Sequence, residues 1–212
     1  LWENEILHSQ PILGTTGCLL ESMDPMIFYR AVEHGLNSSD NVILGMDWKW
    51  NFLQLFSFYG QLAFDEFVKD DFITQANTFT NKWAYQAGLK YVNVAGVKNL
   101  DLQVEMNRIR PYMYQHASRS QNWIHYNQSL AHPLGSNLRE VIGIVRYQPI
   151  PRLDLRAMYS TSLQGIDTSN ITTNFGGDIT RSADDLRKAG ELTQYQGIEN
   201  TVSNISLDIS YM

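Results

Sequence analysis

The chain has 212 residues, 43% hydrophobic and 18% charged, with a formal net charge of -6. It is too apolar for a disordered segment, and the acidic balance argues against nucleic acid, whose phosphates call for clustered Lys and Arg. No apolar run reaches the ~18 residues of a transmembrane helix, and the lone Cys18 makes neither an internal disulfide nor a Cys-based zinc site.

The chain opens Leu-Trp-Glu-Asn-Glu, with no initiator Met and no signal peptide. The expectation is an exported protein that has lost its signal, or a section of a longer chain. Leu1–Leu7 reads as the end of a strand. Within Met23–His34, Asp24 and Pro25 suit a helix start, and Arg30, Glu33 and His34 fall on one side of it. The plain reading is a short helix capping a lumen, and Arg30 and Glu33 count as lumen-lining polar residues.

Period-two alternation begins at Val42, the mark of a strand with one apolar and one polar face. Leu44, Met46, Trp48 and Trp50 oppose Gly45, Asp47, Lys49 and Asn51. After a turn near 52, Phe56, Phe58, Leu62 and Phe64 oppose Ser57, Tyr59, Gln61 and Asp65. Trp83, Tyr85, Leu89 and Tyr91 oppose Lys82, Gln86 and Lys90. Beyond a turn near 97, Leu100, Leu102, Val104 and Met106 oppose Asp101, Gln103, Glu105 and Asn107. Strands follow at 139–148 and, after a turn at Pro149–Pro151, at 153–163 and 202–212. Asp47, Lys49, Asp65, Glu105 and Arg110 are assigned to the polar, lumen-facing side.

The connections alternate between short ones near 52, 97 and 150 and long ones at about 67–81, 111–138 and 164–201. Short turns on one side and long loops on the other are the outer-membrane arrangement. Aromatics near the short turns (Trp48, Trp50, Phe56, Phe58, Tyr91, Tyr147) suit one interfacial girdle, and Trp83, Tyr85 and Phe64 the other. The expected fold class is therefore all-β: an antiparallel up-and-down transmembrane β-barrel, with residues 1–212 as one region. An odd count of about seven strands suggests a section of a larger barrel of about 16–18 strands. A closed eight-stranded barrel that uses residues 1–10 and a soluble sandwich or lipocalin-like barrel are the alternatives.

The loop 111–138 is the most chemically crowded part of the chain. His116, His125 and His132 follow no metal-ligand spacing, and Ser118, Ser120 and Ser129 lie in no nucleophile motif. No metal, cofactor or catalytic residue is expected, and the reading is non-enzymatic. Trp123, His125, Tyr126, Asn127, Gln128 and His132 are the residue types that stack on sugar rings and bond hydroxyls, and they form the candidate glycan site. The plain alternative is a packed loop that closes the barrel. In 164–200, Gly176-Gly177-Asp178 marks a turn, and 181–194 suits a short amphipathic helix.

Several blocks carry a resemblance: Met26–Glu33, Leu44–Asn51 with Tyr59-Gly60-Gln61 and Asp65-Glu66-Phe67, Arg110–Tyr114 with His116, and Tyr126-Asn127-Gln128 with His132–Gly135. Together they resemble the later part of the barrel in the Wzi-like capsule-assembly and RemB gliding-motility family of Bacteroidota outer-membrane proteins. The resemblance implies a non-enzymatic barrel of the bacterial outer membrane, in contact with lipid. Its function would be to handle or anchor surface polysaccharide, or to support gliding motility. The alternatives are a structural subunit of an envelope secretion or motility complex that contacts protein, and, third, a channel.

Overall fold

The computed structural model describes residues 43–65, 82–167, 173–184 and 195–211. The expectations for Leu1–Leu7, Arg30, Glu33, the loop 67–81 and residues 185–194 lie outside these.

The described chain is all-β. Seven strands form one antiparallel sheet: β1 (Ile43–Phe52), β2 (Phe56–Asp65), β3 (Trp83–Tyr91), β4 (Leu100–Ile109), β7 (Leu138–Ile150), β8 (Leu153–Ile166) and β9 (Ile198–Tyr211). Each pairs with the next in sequence order. A two-residue hairpin, β5 (Ile124–His125) with β6 (Gln128–Ser129), interrupts the β4–β7 connection. Among the described residues β1 and β9 are edges and do not pair with each other, so the sheet is open.

The register keeps the two faces in step across all seven strands. Met46 opposes Leu62, Leu62 opposes Tyr85, Met106 opposes Val141, and Tyr159 opposes Ile205. Directly opposed residues share a face, so the apolar sets of all strands merge into one surface. That surface is uncovered. Met46 is 59%, Ile205 83% and Leu207 67% exposed, and Leu89, Val104, Val141 and Val145 are exposed as well.

At the short-turn end of this face the rings form a row. Trp50 and Phe52 lie 4.9 Å apart, Phe52 stacks on Phe56 at 5.3 Å, and Phe56 stacks on Tyr91 at 4.4 Å. At the other end Trp83 stacks on Tyr85 at 5.8 Å. Two glycines accommodate large neighbours on opposite faces. A Cβ on Gly60 would enter the Trp48 ring, and one on Gly88 would enter the Tyr59 ring.

The polar face is bonded to itself. Glu105 accepts from Tyr59 Oη and Gln86 Nε2, both at 2.7 Å, and Gln103 Nε2 donates to Tyr59 Oη at 2.7 Å. Asn107 Nδ2 bridges Glu105 at 3.3 Å and Glu140 at 3.1 Å. Asp47 and Lys49 are exposed on the same side.

Two expectations need correction. The chain does not turn at Pro149: β7 runs through it to Ile150, with a register shift between Tyr147 and Ile150. The irregularity places the proline where no ladder N–H is required. Arg110 does not join the polar face. Two residues beyond Arg108, it continues that residue's side of the strand and lies over the Trp83 ring. The alternation of β4 carries it to the apolar face.

Candidate functional site

Where β4 ends, the chain folds into a cap over the long-connection end. Tyr112 and Tyr114 both take positive φ, 62° and 72°. This tight path buries Tyr112 and Met113 completely, and Tyr114, Ile109 and Leu138 pack in the same region. Burial among apolar neighbours and the charge of Asp65 push the Tyr114 phenol well above the usual tyrosine range. Asp65 lies fully buried beneath it and accepts from Tyr114 N at 3.0 Å. Lys82, 2% exposed, donates to Gln115 O at 2.7 Å. Asp65 is thus a support for the cap rather than an open lumen group.

Buried amide side chains lock this segment to 173–184. Asn122 Nδ2 donates to Ile179 O at 2.9 Å and Arg181 O at 2.8 Å, and Gln115 Nε2 donates to Asp178 O at 2.6 Å. Tyr112 Oη donates to Asn174 O at 2.6 Å, and Asn174 Nδ2 donates to Ser182 O at 2.7 Å. Asn137 Nδ2 donates to Gly165 O at 2.9 Å and Gln196 O at 3.2 Å, while its Oδ1 accepts from Tyr195 N at 2.8 Å. Amides suit the task because each supplies donor and acceptor to backbone groups that no ladder satisfies. Gly176, at φ 75°, passes so close to Tyr112 that a Cβ would strike its ring and backbone.

Above this frame stands the β5–β6 hairpin. Its turn residues Tyr126 and Asn127 have φ 47° and 59°, the left-handed pair that matches strand twist. The hairpin and the 173–184 segment border an open cleft of about 880 Å³, a size suited to a small ligand. Arg119, Asn127, Gln128, Asp167, Asp178 and Arg181 are among the residues that line it. Arg181 Nη1 lies 3.4 Å from Asp167 Oδ2. Asp178 Oδ1 accepts from Thr180 N and Oγ1, fixing the turn there.

The predicted glycan residues therefore divide. Asn127 and Gln128 face the cleft. His125 and Tyr126 lie at the hairpin tip, edge to face at 4.4 Å, with Tyr126 88% exposed. Trp123 is not an open platform: it packs against the cluster around Ile109, Met113 and Leu138, where burying its large ring is most favourable. His132 turns away to Glu140, 2.9 Å from its Oε2, and joins the polar-face network. Arg119, Asp167, Asp178 and Arg181 were not foreseen. Their only sequence signal is charge within otherwise amide- and glycine-rich loops.

Among the described residues no group of three His, Cys, Asp or Glu side chains is close enough to hold a metal ion. Comparison of the chain with family models, curated proteins and solved structures finds no match.

Proposed function

We propose that this chain is part of an outer-membrane β-barrel whose cap presents a polar cleft to surface polysaccharide. The observation that carries the reading is the uncovered apolar face, continuous from β1 to β9 and edged by aromatics at both ends of β1 to β3, set against a hydrogen-bonded polar face. Soluble monomers do not leave so broad an apolar surface in water. Lipid is the solvent it suits. A ten-residue strand such as β4 is about 34 Å long, and tilted by about 45° it crosses the ~25 Å apolar band of such barrels. The edges of β1 and β9 require pairing with further strands to close the ring, because an open edge does not persist in hydrocarbon.

The cleft suits a carbohydrate. Asn127 and Gln128 offer paired donors and acceptors for hydroxyls, and the ion-paired Arg181 and Asp167 add further polar groups. The role is binding rather than catalysis, and it fits the polysaccharide-handling function that the family resemblance implies.

The test uses the full-length protein from native membranes. Expected results are a heat-sensitive shift in gel mobility, the mark of a folded barrel, and retention of the cell's own surface polysaccharide. Retention should fall at least tenfold in Asn127→Ala/Gln128→Ala. Absence of retention by the folded wild-type protein, together with an unchanged capsule after deletion, would overturn the glycan reading. Recovery in the aqueous fraction would overturn the membrane reading.

A further inference from the structure

We propose that Tyr126, at the tip of the β5–β6 hairpin, is a stacking platform for the glycan, and that the ligand is a neutral polysaccharide engaged over more than one sugar unit. The inference rests on the glycan reading above and names the substrate class of that site.

Tyr126 holds a position for which the fold alone does not call. It is the first turn residue of the hairpin and takes the left-handed conformation, with φ 47°. Asn, Asp and Gly suit that conformation, whereas a bulky side chain strains it. The strain is not offset by burial. The ring is 88% exposed, and its contact with the chain is the edge-to-face approach of His125, at 4.4 Å with 68° between the planes. That approach leaves a flat face of the ring open. A strained backbone beneath an unburied aromatic ring points to a partner outside the chain. Tyrosine suits the task, because it offers a rigid, amphipathic contact area with only two side-chain torsions to fix.

The surroundings give the ligand class. The amides of Asn127 and Gln128 line the cleft and make no side-chain hydrogen bond among the described residues. Tyr126 precedes them directly in the chain but stands outside the cleft lining. A ligand that meets both the ring and the amides therefore extends along the rim instead of sitting as a single unit inside. The charged residues at the cleft are Arg119, Arg181, Asp167 and Asp178, two of each sign. Arg181 is engaged by Asp167 Oδ2 at 3.4 Å and by Thr173 O at 3.2 Å. This balance selects neither a polyanion nor a polycation. Pro133 and Leu134 add apolar lining. A neutral pyranose matches the set: its C–H face covers an aromatic ring, and its hydroxyls take amide donors and acceptors.

The test is isothermal titration calorimetry of the full-length protein, purified from native membranes in detergent, with the cell's own surface polysaccharide and its size-fractionated hydrolysis fragments. Affinity should be roughly tenfold or more higher for fragments of several sugars than for the released monosaccharides. It should stay within about twofold when NaCl is raised from about 0.1 to 0.5 M, since no charge pairing is screened. Tyr126→Phe keeps the ring and should keep binding. Tyr126→Asn places a residue suited to the left-handed turn, so it should fold at least as stably as the wild type yet bind the polymer about tenfold more weakly. Unchanged affinity in folded Tyr126→Asn, an equal loss in Tyr126→Phe, a severalfold loss at high salt, or equal affinity for monosaccharide and polymer would overturn the proposal. Absence of any binding by the folded wild-type protein would overturn the glycan reading itself, whereas binding that is lost in Asn127→Ala/Gln128→Ala but kept in Tyr126→Asn removes this proposal alone.

Discussion

Leu207 and Ser206 are neighbours on β9 that face opposite sides, which makes them a sensitive probe of what the apolar face meets. Leu207 is 67% exposed on the apolar side; Ser206 opposes Met158 on the polar side. If lipid covers the apolar face, Leu207→Arg places a guanidinium near the middle of the apolar band, at a cost of about 2–4 kcal/mol. Tyr211, four residues on, is displaced by about 10 Å toward the interface, where the same substitution costs about 0–1 kcal/mol. Ser206→Arg faces the watery side and should stay within about 0.5 kcal/mol. The assay is reversible unfolding of the full-length protein from phosphatidylcholine vesicles in guanidinium chloride, followed by tryptophan fluorescence. A stepped profile, large at 207 and small at 211 and 206, is the expected result. A flat profile, with Leu207→Arg costing under about 0.5 kcal/mol, would refute the argument, since a water-facing leucine tolerates arginine.

Asn137→Ala removes the side-chain hydrogen bonds that join the cap to β8, to Phe175 and to the residues just before β9. It should destabilise by about 2–4 kcal/mol and accelerate amide exchange at Tyr195 while mid-strand amides of β7 stay protected. Gly88→Val drives a side chain into the Tyr59 ring and should cost about 1–3 kcal/mol in denaturant midpoint, with Gly88→Ala milder. The raised Tyr114 ionisation gives a pH signature. The fold favours the neutral phenol, so its contribution is complete below the unfolded tyrosine value of about 10 and is lost as pH rises beyond it. Alkaline unfolding titrations should show that loss in the wild type and its reduction in Tyr114→Phe.

The sheet was legible because period two is written locally. Most of the strands announce their faces within ten or so residues, 139–148 less cleanly because Ile142 and Ile144 share its polar side, and the register then follows from aligning those faces. The same rule, carried two residues past Arg108, also places Arg110 on the apolar side; reading it by its charge put it on the wrong face. The cap was not legible. Asn122, Asn137 and Asn174 look like ordinary loop asparagines, and nothing in their neighbourhood signals that their partners lie elsewhere in the chain. Trp123 and His132 show the limit of composition: both have sugar-binding chemistry, yet one is claimed by an apolar cluster and the other by Glu140. Asn127 and Gln128 line the cleft because they lie at and beside an exposed hairpin tip.

The amide bonds that hold the cap also impose an order on its assembly. Asn122 reaches Ile179 and Arg181 across separations of 57 and 59 residues, and Ser182 reaches Ala117 across 65. Segment 110–138 therefore cannot finish folding from its own sequence, because partners such as Ile179, Arg181 and Ser182 arrive only after β8 has been laid down. Closing loops of that span costs entropy that only the completed set of contacts returns. The cleft therefore forms only with segment 173–184 in place, and a chain interrupted between β8 and residue 173 would keep β1 to β8 without the cleft lining that Asp178 and Arg181 supply.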